Sequence, residues 1–232
     1  LLVHLAGAWS LGQSAQKFRR RSTSGIARLS TGFDEMHFYI SGKKFEQPEN
    51  VLAYSRREFD SLFVFRHQVD SHQMLHLRQE QANFSADTWE VVNQSANGFR
   101  LVRSTSGRKM SHGQLLAICP HDGNNFILAK NTWLMQEKGG GLIAGIETLP
   151  GLPVATCARP VDTPGEPSGK FHRAFLLPAI PAVNAEQSIV LPPGWFRAGR
   201  TIELFTDSAR QIKLVHVLDD GPDFERISFV EA

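Results

Sequence analysis

From Trp89 onward the chain alternates apolar and polar positions in short runs separated by turn residues, the pattern of half-buried β-strands. Trp89, Val91 and Val92 run into the polar hexapeptide NQSANG at 93–98, and strand-like runs then follow at 99–103, 112–119, 126–135 and 142–149. The clusters STSG at 104–107, PHDG at 120–123 and KGGG at 138–141 separate them, so strand, turn and strand succeed one another at the spacing of a small antiparallel barrel. Residues 151–169 carry Pro153, Pro160, Pro164 and Pro167 without periodicity and read as a linker. Beyond it, 188–191, 201–205, 211–218 and 224–230 read as four more strands, with Gly194, Gly199 and Gly221-Pro222 between them. Four strands do not readily close alone and open edges invite pairing. The expectation is that they pack on the first barrel or form an incomplete second barrel completed by residues near 172–177.

The first third is less regular. Residues 1–9 have a helical pattern too short to span a bilayer, without the charged start and cleavage site of a signal peptide, and read as the last turns of a longer helix whose upstream partner has been cut away. Residues 25–40 read as the first barrel strand, a bend at Gly32 and a further apolar segment. The tract at about 41–87 gives mixed signals, a helix start at 48–50 and a short buried strand at 62–65, and is taken as an insertion. The expected organisation is a helical end at 1–16, a barrel at 17–150 interrupted by that insertion, a linker at 151–170 and a C-terminal β module at 171–232.

Composition narrows the function classes. With 232 residues, 41% of them apolar, the chain can bury a real core, and a folded, soluble protein is expected. A net charge of +2 lacks the basic excess of a general nucleic-acid binder, so any anion site must be local. Two cysteines, Cys119 and Cys157, without Cys-x-x-Cys spacing, argue against a disulfide framework or structural zinc and fit a reducing cytoplasm. His67, His72 and His76 lack convergent cysteines or carboxylates and read as solvated or core-edge histidines, so no metal site is expected. No Gly-x-Ser-x-Gly elbow, phosphate-binding loop or His-Glu-x-x-His helix occurs, and no residue is assigned a catalytic role.

Two stretches carry candidate chemistry. In NQSANG, Asn93 and Ser95 sit two apart at a strand end, so their side chains lean to the same side of the pleat, and Gly98 can take a positive φ. Such residues also close Asx and Ser/Thr turns on their own backbone. Near the front of the chain, Lys17, Arg19, Arg20 and Arg21 place four positive charges within five positions, followed by Ser22-Thr23-Ser24-Gly25. No acidic residue precedes Asp34, and the segment is expected to be a mobile, solvated loop. Guanidinium groups pair bidentately with phosphate and match the O6/N7 edge of guanine, so the run can alternatively close over an anionic purine nucleotide.

Asn-x-Ser-x-x-Gly at 93–98 resembles the (Asp/Asn)-x-Ser-x-x-Gly signature of PilZ domains, bacterial receptors for cyclic di-GMP. The succession of the Gly-Gln-Leu-Leu, Trp-containing and Gly-Ile-Glu strands is similar to the PilZ barrel, and the cationic run occupies the place of the family's Arg-x-x-x-Arg motif. The pattern departs at three points: Lys17 at the first Arg position, Asn131-Thr132 where an Arg often precedes the Trp, and the insertion. The resemblance implies a mainly β, non-enzymatic protein without a cofactor. Its ligand would be cyclic di-GMP, held by Lys17, Arg19, Arg20, Arg21, Asn93, Ser95 and Gly98. Binding would order the cationic loop, and a protein effector would read the change, with neither nucleic acid nor direct membrane insertion involved. The alternative is a degenerate barrel that keeps the fold and serves as a protein-interaction module.

Overall fold

The computed structural model describes residues 21–48, 84–104, 107–137, 140–163, 166–167 and 169–232. Lys17, Arg19 and Arg20, the helical pattern at 1–9, the strand expected at 62–65 and the three insertion histidines all lie outside the described residues. The fold is mainly β, with two closed six-stranded antiparallel barrels. Its first half has the architecture expected of a PilZ-type barrel.

The first barrel is built from β1 (Arg21–Thr31), β2 (Asp87–Ser95), β3 (Gly98–Arg103), β4 (Leu115–Cys119), β5 (Ile127–Gln136) and β6 (Leu142–Thr148). They close in the order β1-β2-β3-β6-β5-β4. Alternate residues point inward: Ala27, Leu29, Trp89, Val91, Phe99, Leu101, Leu116, Ile118, Ala129, Ala144 and Ile146 fill the interior. At one end Arg103 turns inward, its guanidinium lying 4.7 Å from the Trp89 ring and its NH1 bonded to Asp87 at 2.5 Å.

Between β1 and β2 lies a helix, α1 (Phe33–Ser41), where the sequence reading has only a bend and an apolar segment. Asp34 and Glu35 in its first turn favour the positive end of the helix dipole, and Gly42, at φ 69°, supplies the left-handed residue that ends it. The serine-rich stretch expected to be a loop is corrected too. Ser22, Thr23 and Ser24 belong to β1, which begins at Arg21, because β2 offers them a partner: Ser22 pairs with Asn93 and Gly25 with Val91 around a bulge.

The expected linker is likewise overturned. Residues 154–163 form β7 (Val154–Thr163), followed by β8 (Glu166–Pro167). Prolines misled the reading because Pro160 sits where a strand tolerates it: β9 pairs with β7 only over 154–158, so Pro160 has a ladder neighbour on the β11 side alone. With β9 (His172–Leu177), β10 (Ser188–Leu191), β11 (Thr201–Phe205), β12 (Ala209–Asp220) and β13 (Glu225–Glu231), β7 completes the second barrel, and the β11–β7 pairing closes it. The module is therefore complete rather than open, and β9 falls where its completing strand was expected.

The barrels share an apolar seam. All five residues of β4 are buried, because Leu116 and Ile118 face the first barrel's interior while Leu115, Ala117 and Cys119 face the second barrel. On β9 and β10 the same alternation sends Ala174, Ile189 and Leu191 into the second interior, and Phe175, Leu177 and Val190 into the seam. Met36 of α1, Phe126 and Phe224 fill the space between. Polar ties flank it: Asp34 to Arg173 at 2.7 Å, Lys130 Nζ to Asp219 at 2.6 Å, and the Leu115 amide donating to Asp223 at 2.9 Å.

His37 is buried in this seam, with its Nε2 3.2 Å from the Thr156 carbonyl, which makes Nε2 the protonated, donating nitrogen. Burial pushes its pKa down to about 4, with the nearby Arg173 guanidinium adding to the fall. The unfolded state then binds a proton that the native state refuses, so His37's contribution is intact above the usual histidine pKa near 6.5 and is lost as pH falls toward 4. On the order of 2 kcal/mol should disappear between pH 7.5 and pH 5. Urea titrations at the two pH values check this, and His37→Gln should flatten the dependence.

Candidate functional site

The β2–β3 hairpin is tighter than the hexapeptide suggests. Strand pairing runs up to Ser95 and resumes at Gly98, leaving Ala96-Asn97 as a two-residue turn. Gly98 does not have the positive φ expected of it. Its glycine is required for another reason: a Cβ at 98 would fall on the carbonyl oxygen of Ile146 in β6. The backbone that approaches Gly98 is the protein's own.

Asn93 and Ser95 are both half-buried at the end of β2. Asn93 Oδ1 and Nδ2 make no side-chain hydrogen bond among the described residues. The Ser95 hydroxyl is held by its turn, 3.2 Å from Asn97 Oδ1 and 3.3 Å from the Gly98 carbonyl. It therefore spends its one proton locally and keeps its lone pairs, and it remains partly exposed. Arg21 is exposed at the start of β1 and pairs with Gln94, directly between the two candidate polar residues. Pairing partners share a face, so Arg21 has the parity of Gln94, while Ser22 shares the face of Asn93.

Across the barrel wall the register then sets a row. Ser22 on β1 opposes Asn93 on β2, Asn93 opposes Arg100 on β3, Arg100 opposes Gly145 on β6, and Gly145 opposes Trp133 on β5. Because Phe99 and Leu101 point into the core, Arg100 and its row point outward. Gly145 leaves a gap that the Trp133 indole covers: a Cβ there would fall on the ring atoms Nε1, Cε2 and Cζ2.

Residues 156–232 match the family model described as the FimW C-terminal beta-barrel domain. Over 241 aligned positions the chain is 25% identical to the cyclic-di-GMP receptor FimW of Pseudomonas aeruginosa, an alignment covering 88% of this chain and 39% of that protein. The chain spans about 39% of that receptor's length. No solved structure matches it.

The row contains two residues that the motif reading did not name for a ligand: Arg100, which lies outside the motifs, and Trp133, which marked only a barrel strand. Arg100 was legible in principle, since in Phe99-Arg100-Leu101 the apolar neighbours take the inward positions. Its placement beside Asn93 depends on the bulge between Val91 and Asn93, which no sequence pattern announces. The positions departing from the PilZ pattern have structural duties. Asn131 is buried and donates to the Ser111 carbonyl at 2.8 Å, and Thr132 donates to the Gly145 carbonyl at 2.8 Å. A second row leads toward the other barrel. Asn97 Nδ2 donates to Glu147 Oε1 at 3.2 Å, Glu147 faces Lys130 in register, and Lys130 Nζ bonds Asp219 and the Asp220 carbonyl on β12.

Among the described residues no cluster of His, Cys, Asp or Glu is arranged to hold a metal ion. Both cysteines are free and buried. Among the same residues no helix is long and apolar enough to cross a membrane.

Proposed function

We propose that this chain is a non-enzymatic receptor for cyclic di-GMP that takes its ligand on the outer wall of the first barrel, at the strand end bearing Asn93 and Ser95. The observation that carries the reading is the β1–β2 register, which lays Arg21 and Ser22 against Gln94 and Asn93. The arginine-bearing front of the chain thus starts from the rim where the amide and hydroxyl emerge. The similarity to a protein named as a cyclic-di-GMP receptor supports the same ligand. In this reading Lys17, Arg19, Arg20 and Arg21 supply charge to the phosphates, Asn93 supplies an amide, Ser95 supplies hydroxyl lone pairs, and Gly98 keeps the hairpin seated on β6. No bond in the nucleotide is broken.

Occupancy would be read through the C-terminal barrel. A ligand group that donates to the Ser95 lone pairs fixes its O–H on Asn97 Oδ1 and so steadies the Asn97 contact to Glu147, which faces the Lys130 tie to Asp219. A protein effector in the cytoplasm would then sense the changed surface. The hold of its own turn on Ser95 is the feature that speaks for the other reading, a ligand-free interaction module.

Thermal denaturation separates the two. At a hundredfold excess over Kd, cyclic di-GMP should stabilise the chain by about 2.7 kcal/mol, a rise of roughly 5–10 °C in Tm for a chain of this size. Asn93→Ala should weaken binding by about 1–3 kcal/mol, up to a hundredfold. An unchanged melting curve at high micromolar ligand would reject the receptor.

A further inference from the structure

Arg100 has no part in the sequence motifs, yet it stands in the middle of the outward row, between Asn93 and the Trp133-covered Gly145. It is half-exposed, makes no ion pair among the described residues, and its Nε–H is shielded from water without an acceptor. A donor left in that state costs free energy until something accepts from it. Beside it lies a flat apolar surface. Trp133 belongs to β5, two strand spacings or about 10 Å from Arg100. Its ring leans back over the intervening glycine, toward the strand that carries Arg100 and on the same outer face of the sheet.

A planar, half-buried indole is a platform for a base. A guanidinium at its border is a bidentate donor in the geometry of the O6/N7 edge of guanine. The same edge of adenine presents an amino donor where guanine presents O6, and a second donor from the protein is repelled there. Of the two purines, only guanine offers this arginine two adjacent acceptors on that edge.

We infer that Arg100 is the residue by which the site selects guanine, donating to the O6/N7 edge of a base stacked on Trp133. This rests on the receptor reading given above and adds a specificity residue to it. Lysine at 100 keeps the stem packing and the charge but loses the planar fork, so Arg100→Lys separates base reading from mere coverage of the sheet.

The test is calorimetric titration of wild type, Arg100→Lys and Arg100→Ala with cyclic di-GMP and with cyclic di-AMP, each variant first shown to melt as wild type does. Both variants should lose at least tenfold in affinity for cyclic di-GMP and change little toward cyclic di-AMP, so that the preference collapses. A base stacking on Trp133 should quench tryptophan fluorescence in the wild type, and Trp133→Leu should lose that quenching together with a comparable factor in affinity. Variants within twofold of wild type would overturn the inference while leaving the receptor standing. An equal loss for both nucleotides would also overturn it, since that marks a phosphate contact. Absence of wild-type binding would overturn the receptor reading and this inference together.

Discussion

Phe175→Ala is expected to lower the stability of both barrels, not only of the one that contains it, by about 3–5 kcal/mol. The ring belongs to β9 but points into the seam, where it is fully buried, stacks on Phe33 of α1 at 5.4 Å and approaches His37 at 6.1 Å. Removing it leaves a cavity bounded by residues of both halves, and the closed backbones on either side limit how far the wall can relax. Hydrogen exchange read by mass spectrometry distinguishes shared from local loss. Protection should fall in peptides covering β4 of the first barrel as well as β11 of the second. Unchanged protection in β4 would show that the seam is an incidental contact between independent modules.

The second large effect is expected at Gly98, and its pattern matters more than its size. If glycine were there for a left-handed backbone, asparagine would be the best tolerated replacement. The Gly98 backbone is not left-handed, and the obstacle is the Ile146 carbonyl, which any Cβ meets. Gly98→Ala and Gly98→Asn should therefore be similarly damaging, each by about 2–3 kcal/mol, as β3 and β6 are pushed apart. Urea unfolding of the two variants decides the matter. Asparagine restoring most of the lost stability would contradict this account of the turn.

Gly98 also shows what the sequence could and could not convey. That a glycine is needed three residues after Ser95 is readable from the motif, but the strand that makes it necessary lies about fifty positions away in the chain. The barrel strands were legible because one face of each is buried, and β4 announced its double burial by an unbroken apolar run. Pro160 misled because a proline's cost in a strand depends on which neighbour is missing, and pairing decides that. For α1 the signals were present: Gly32 before Phe33, acidic residues in the first turn and Gly42 at the end, masked by an aromatic content that also suits a strand. In the candidate site the polar pair was visible from spacing. The neighbours that give it a direction, Arg100 across β3 and Trp133 over Gly145, came from register alone.

Backbone amide NMR of the labelled chain during titration with cyclic di-GMP tests the placement of the ligand most directly. The account predicts saturable shifts centred on Ser22, Asn93, Ser95 and Arg100, with smaller ones reaching Glu147 and Lys130 toward the second barrel. Shifts confined to the C-terminal barrel, or a spectrum that stays still at saturating nucleotide, would contradict it.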